Sequence, residues 1–269
     1  MLLLGGVAFR IEPEDVLHPA ELGVLQKLGR VAAVSPGAEA TGAPFVVRIV
    51  PDPPWGHEPP PPAAPAAVSW EHGRVRLRQA SFLAELDPQA STALLHRRTR
   101  EGFALEVTLR TALSCRLPLN GGLPLHAAGL VLGDRAVVFH GPSGAGKSTI
   151  AAASPGPVLS DELVAVVPGT EWRAVATGFF GTQEATLAVG AAPLAALIEL
   201  DQGPYRLERV DARRALTRLA LATLVPLAPP LWSAALGAIG HLAREVPCYR
   251  MAWSLEDPPF ARLADALRL

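Results

Sequence analysis

The spacing of hydrophobic positions changes repeatedly along the chain, and each change marks a predicted element. Val7 to Ile11 and Phe45 to Ile49 read as strands, with helical spacing from Ala20 to Leu28 between them. The apolar stretch Met1 to Phe9 reads as a first strand. Val68-Ser69-Trp70 and Arg74-Val75-Arg76-Leu77 alternate on either side of His72-Gly73, a hairpin pattern. From Glu101 to Leu117, Phe103, Val107, Ala112 and Cys115 recur at helical intervals. Ala128 to Leu132 and Ala136 to Phe139 are joined by Gly133-Asp134, which predicts a second hairpin. Val158 to Ser160, Val164 to Val167 and Trp172 to Val175 are short strands by the same reading. Asp211 is a predicted N-cap for a helix carrying Ala215, Leu216, Leu219 and Leu224 on one face. Val246 to Trp253 reads as a late strand, and Asp257-Pro258 opens a C-terminal helix through Leu267. There is no internal repeat.

This order predicts an α/β chain in two parts. Residues 1–98 form a small α+β unit, and residues 99–269 a larger one built on a mixed sheet. A proline-rich loop near 51–65, with Pro51, Pro53, Pro54 and Pro59 to Pro62, is too poor in N–H donors for helix or central strand. It reads as a semi-rigid linker, with a docking element for a proline-binding groove as the alternative.

Composition removes several classes. A net charge of −1 offers no basic field, so nucleic acid is not an expected partner. Cys115 and Cys248 lie far apart in apolar settings, which fits reduced core thiols rather than a disulfide or zinc site. The apolar start is short and lacks a basic lead-in, so no export signal and a cytoplasmic location are expected. Leu219 to Gly240 is uncharged and nominally long enough to span a bilayer. Pro226, Pro229 and Pro230 interrupt it, and Arg213, Arg214 and Arg218 lead into it, so helix, turn and helix on a core explain it better than a membrane span. Trp55 and the prolines leave homo-oligomerisation open.

The chemistry concentrates at Gly141-Pro142-Ser143-Gly144-Ala145-Gly146-Lys147-Ser148-Thr149, a complete G-x-x-x-x-G-K-S phosphate-binding loop. Its glycines let backbone N–H groups turn inward around a polyphosphate. Lys147 can reach the β- and γ-phosphates, and the Ser148 hydroxyl can hold Mg²⁺. An apolar strand enters the loop and Ser148 to Ala153 begin a helix, whose N-terminus favours anions.

Asp161-Glu162 follows after only a short helix and strand. Placed at the end of a strand beside the loop, one carboxylate could ligate Mg²⁺ and the other accept a proton from an attacking hydroxyl. A solvated turn is the plainer reading of the same dipeptide. His126 precedes the second hairpin and could face the same phosphates, or be an ordinary core or surface histidine. His140, next to Gly141, reads as structural. No L-S-G-G-Q-like segment and no N-K-x-D sequence is present, so transporter-type ATPases and guanine-specific GTPases fit poorly.

His126-Ala127-Ala128, the hairpin, Gly141 to Thr149 and Asp161-Glu162 together resemble the catalytic domain of HPr serine kinase/phosphorylase. They are more similar still to HPr-kinase-related proteins found with ribosomally made, modified peptides. The nucleotide core of phosphoenolpyruvate carboxykinase is similar in turn. The resemblance implies phosphoryl transfer from ATP, with Mg²⁺, to a serine hydroxyl of a peptide or protein. It implies Asp161 as general base, Glu162 as a metal ligand where the family commonly has aspartate, and His126 as a catalytic partner. Lys147 and Ser148 would serve the phosphates and the metal. Thr177 to Gly181 falls where such proteins carry a Pro/Gly-rich substrate loop. A kinase of a small hydroxylated metabolite and a nucleotide-sensing module without catalysis are the alternatives.

Overall fold

Gly5 and Gly6 both take positive φ and reverse the chain. The apolar start is therefore two strands: β1 (Leu2–Leu4) pairs antiparallel with β2 (Val7–Pro13). The computed structural model describes residues 1–33, 43–51, 65–99, 101–181 and 190–269. Trp55 and the prolines from 53 to 62 lie outside them.

Helix α1 (Pro19–Ala33) follows, then β3 (Phe45–Pro51), β4 (Ala67–Glu71), β5 (Arg74–Gln79), β6 (Phe82–Asp87) and β7 (Thr92–Arg97). These strands make a seven-stranded mixed sheet in the order β1-β2-β3-β7-β6-β5-β4. Phe9, Phe45, Val47, Phe82 and Leu95 are buried on one face. The predicted hairpin around His72-Gly73 is β4–β5.

Helix α2 (Gly102–Leu119) packs on α1 and β7 at one side and on later elements at the other. Its buried residues include Ala104, Leu105, Leu109, Ala112 and Cys115. Phe103, read from the sequence as part of that stripe, is instead half exposed and meets the Phe82 ring edge-on.

The second sheet has eight strands. They are β8 (Leu123–Leu132), β9 (Arg135–His140), β10 (Val158–Ser160), β11 (Leu163–Val167), β12 (Arg173–Ala176), β13 (Ala191–Gln202), β14 (Arg206–Arg209) and β15 (Cys248–Trp253). β9, β13 and β15 run parallel side by side, with β13 in the middle; β8 and β9 are the predicted antiparallel hairpin. Helices α4 (Ala212–Ala222) and α5 (Pro229–Glu245) join α2 on one face, and α3 (Lys147–Ala152) and α6 (Phe260–Leu267) cover the other. A strand buried on both faces loses its alternation, which is why β8 is apolar almost throughout. Apolar side chains from both sheets and from α2 belong to one continuous core.

Asp211 caps α4 as predicted, its Oδ1 accepting the Arg214 N–H at 2.8 Å. The C-terminal helix begins at Phe260, with Pro259 rather than Asp257 as its cap. Val246 belongs to the end of α5, and the late strand starts at Cys248. Cys115 and Cys248 are free and buried, and burial pushes their thiols up to about 12 and about 11. Among the described residues no helix is long and apolar enough to cross a membrane.

Candidate active site

Strand β8 sets the site by its register. On one edge Ala127 pairs with His140, the residue before Gly141. On the other, His126 pairs with Leu163, the residue after Glu162. The glycine-rich loop and the acidic pair therefore leave the sheet on opposite sides of β8 at one level. Lys147, Asp161, Glu162 and His126, separated in sequence, are brought to one end of the sheet.

The loop runs from β9 into α3. Gly144 and Gly146 have φ of 80° and 97°, conformations that a side chain disfavours. The Trp253 ring stands 3.5 Å from where a Gly146 Cβ would be. Gln202 at the end of β13 donates from Nε2 to the Gly144 carbonyl at 2.7 Å, bracing the loop from outside. Lys147 is buried and donates from Nζ to the Gly141 and Pro142 carbonyls at 2.9 and 3.1 Å. Burial lowers its pKa, opposed by the nearby Glu162 carboxylate. Helix α3 is only six residues long, so the anion-favouring dipole expected from it is slight. Ser148, in its first turn, is half-buried, while Ser143 and Thr149 are exposed and Ala145 is buried.

The acidic pair is held tightly. Asp161 is buried, and its Oδ1 accepts the Gly181 N–H at 2.9 Å. A Cβ at Gly181 would stand 3.3 Å from Asp161 Oδ2 and 3.6 Å from Glu162 Oε2. The Thr177–Gly181 segment therefore lies directly over both carboxylates. Ser160, fully buried, organises this turn: Oγ donates to the Phe179 carbonyl at 2.8 Å and accepts the N–H groups of Glu162 and Leu163, each at 3.0 Å. Glu162 Oε1 pairs with Arg110 of α2 at 2.6 Å. His126 Nδ1 lies 3.0 Å from the Glu162 carbonyl and 3.6 Å from its Oε2. Donation to that carbonyl leaves Nε2 as the acceptor of the neutral ring.

A third group faces the loop from β13. Glu199 pairs in register with His140 on one side and Arg250 on the other. Its Oε2 accepts from Arg214 Nε and Nη2 at 3.1 and 2.9 Å, and its Oε1 forms an ion pair with Arg218, 2.9 Å from Nε. One step on, Asp201 pairs with Arg250. Burial pushes His140 down to about 4, so it is neutral at ordinary pH. A cavity of about 240 Å³ opens between this group and the loop, lined by His126, His140, Pro142, Glu199, Arg218 and Leu221 among others.

Sequence reading missed Arg110, Ser160, Glu199, Arg214 and Arg218. Glu199 carried a signal, as a charge interrupting the apolar run Leu194–Leu200 where burial would be expensive. The others show nothing locally.

Among the described residues no three His, Cys, Asp or Glu side chains gather as a metal cage. Ser148 and Asp161 remain as oxygen donors, a sparse set that suits a cation taking most of its ligands from phosphate and water. Glu162, expected as a ligand, is engaged with Arg110.

No protein-family model matches the chain, and no curated protein matches it. A solved structure, the Hpr(Ser) kinase/phosphatase from Coxiella burnetii, is similar over 54% of this chain and 93% of its own, at 13% identity and a TM-score of 0.30. A likeness at that level carries no argument; the chemistry rests on the site's own geometry.

Proposed function

We propose that the chain is an ATP-dependent kinase transferring the γ-phosphoryl group to a serine hydroxyl of a peptide or protein. The observation that supports this is the β8 register, by which a G-x-x-x-x-G-K-S loop and a buried aspartate leave the same end of the sheet. In this reading the loop N–H groups and Lys147 hold the β- and γ-phosphates of ATP. Lys147 leaves the Gly141 and Pro142 carbonyls when nucleotide enters. Ser148 would hold Mg²⁺ directly and Asp161 would hold it through water, and the cation would supply charge neutralisation. Asp161 accepts the serine proton as the new oxygen–phosphorus bond forms and the bond to the β-phosphate oxygen breaks, releasing ADP. His126, fixed by the Glu162 carbonyl, presents Nε2 to the same cleft. Glu162 holds His126 and Arg110 in place.

Transfer of label from [γ-³²P]ATP with Mg²⁺ to a serine-peptide library tests the reading, with Asp161→Asn as control and small hydroxylated metabolites as competitors. Transfer by the unmodified chain alone supports it; displacement of the peptides by a metabolite would redirect it to a small-molecule kinase. A second reading is supported by the Arg110–Glu162 pair, which ties the acidic turn to α2. Tight MgATP binding with no transfer, but with altered protection of α2, would make the protein a nucleotide sensor.

A further inference from the structure

The cavity beside the loop has a wall that polyphosphate does not need. Leu221, Ala222 and Pro142 contribute to it, and Leu221 is 75% exposed at the end of α4, where an apolar side chain gains nothing from water. At about 240 Å³ the cavity is below the roughly 300–1,000 Å³ of ordinary small-ligand sites, a size for one residue of an extended chain. His126 of the acidic cluster and Gly141 of the loop line it too, so an occupant would sit where both the phosphate loop and the catalytic turn can reach it.

Its charge is unbalanced. The single Glu199 carboxylate serves two guanidiniums, Arg214 on one oxygen and Arg218 on the other. Arg250 is matched by Asp201, and His140 carries no charge. Among these six side chains one positive charge is left over. Arg214 turns a bidentate fork toward Glu199, whereas Arg218 commits only Nε, and its terminal nitrogens have no partner among the described residues. A guanidinium with its fork free at the edge of an apolar cavity is suited to a carboxylate.

We infer that this cavity is the acceptor subsite, and that Arg218 makes it selective for an acidic peptide. The phosphorylated residue or its neighbour seats against Leu221 and Pro142, and an adjacent carboxylate takes the Arg218 fork. The inference rests on the kinase reading of the same site. The other anion that could claim Arg218 is the γ-phosphate of the nucleotide, and the test separates the two.

Three serine peptides, identical except for Asp, Asn or Lys beside the serine, are measured for binding to the protein loaded with a non-hydrolysable ATP analogue, and for transfer from MgATP. The same is done with Arg218→Gln, Arg218→Lys and Arg218→Glu, and MgATP affinity is measured throughout. Glu199 keeps Arg214 in each variant, and Arg218→Lys controls for local packing. The Asp peptide should bind about tenfold or more better than the Asn peptide, as a charge-assisted hydrogen bond gives. Arg218→Gln should abolish the difference, and Arg218→Glu should turn the preference toward Lys, with MgATP affinity unchanged. Equal binding of the three peptides to the unmodified chain would overturn the inference. So would a loss of MgATP affinity in Arg218→Gln with the peptide preference intact. Acidic preference without transfer would keep the subsite and end the kinase reading; transfer without preference would do the reverse.

Discussion

Arg110 and Glu162 stand 52 residues apart in sequence and 2.6 Å apart in space. The contact ties the side chain after Asp161 to a helix that belongs to neither arm of the acidic turn. Arg110→Ala should cost roughly 1–2 kcal/mol of stability, since both partners are only partly buried. It should also lower turnover, because Glu162 then loses the contact that fixes its direction. In a double-mutant cycle with Glu162→Gln, the second substitution should add little to the first. Fully additive losses in denaturant titrations and initial rates would show that the two side chains act separately.

Asp161→Asn removes the proposed proton acceptor while leaving the loop untouched. Turnover should fall by roughly 10²–10⁴-fold, far more than MgATP affinity, which loses only the Asp161 share of the Mg²⁺ contacts. Lys147→Ala should instead weaken both. Equilibrium binding of MgATP alongside single-turnover transfer distinguishes these patterns. Unchanged turnover in Asp161→Asn would remove that carboxylate from the mechanism.

Ser160 touches no phosphate in the proposed scheme, yet its hydroxyl makes three of the hydrogen bonds that shape the acidic turn. Ser160→Ala leaves two buried N–H groups and one carbonyl without that partner, at roughly 1–3 kcal/mol. Thermal unfolding should register the loss. Activity should drop by a larger factor than the Kd for MgATP rises, and Ser160→Thr should recover part of it. Equal changes in the two would mean that the turn and the loop depend on Ser160 alike.

His140 gives the fold a defined weakness in mild acid. Its ordinary pKa is 6.5 and burial lowers it to about 4, so between those values the unfolded chain binds a proton that the folded protein refuses. Stability from this group is intact above about pH 6.5 and declines as pH falls toward 4, by on the order of 3 kcal/mol in total. Denaturant unfolding at pH 7 and pH 5 should show the decline, and His140→Asn should flatten it. A variant as pH-sensitive as the unmodified chain would assign the effect to other groups.

The parts legible in the sequence are those whose causes are local. Gly144 and Gly146 announce a loop because the backbone itself needs them there. The β8–β9 hairpin shows in its Gly133-Asp134 turn. Asp211 shows as a cap because its partner is three residues away. Strand β13, central to the second sheet, was not legible: both its faces are covered, so its apolar run has no period to separate strand from helix. β6 and β7 were obscured because Leu83 and Leu94 fall on their less buried face and blur the alternation. Arg110, Arg214 and Arg218 acquire meaning only through carboxylates distant in sequence.

Because α2 lies in one core with both sheets, the boundary near residue 98 is no place to cut. A shortened chain starting there would expose the side of α2 that α1 and β7 now cover, on the helix that carries Arg110. The first sheet thus braces the helix that holds the acidic turn, and if the proposed transfer takes place there, the smallest active form should need both halves.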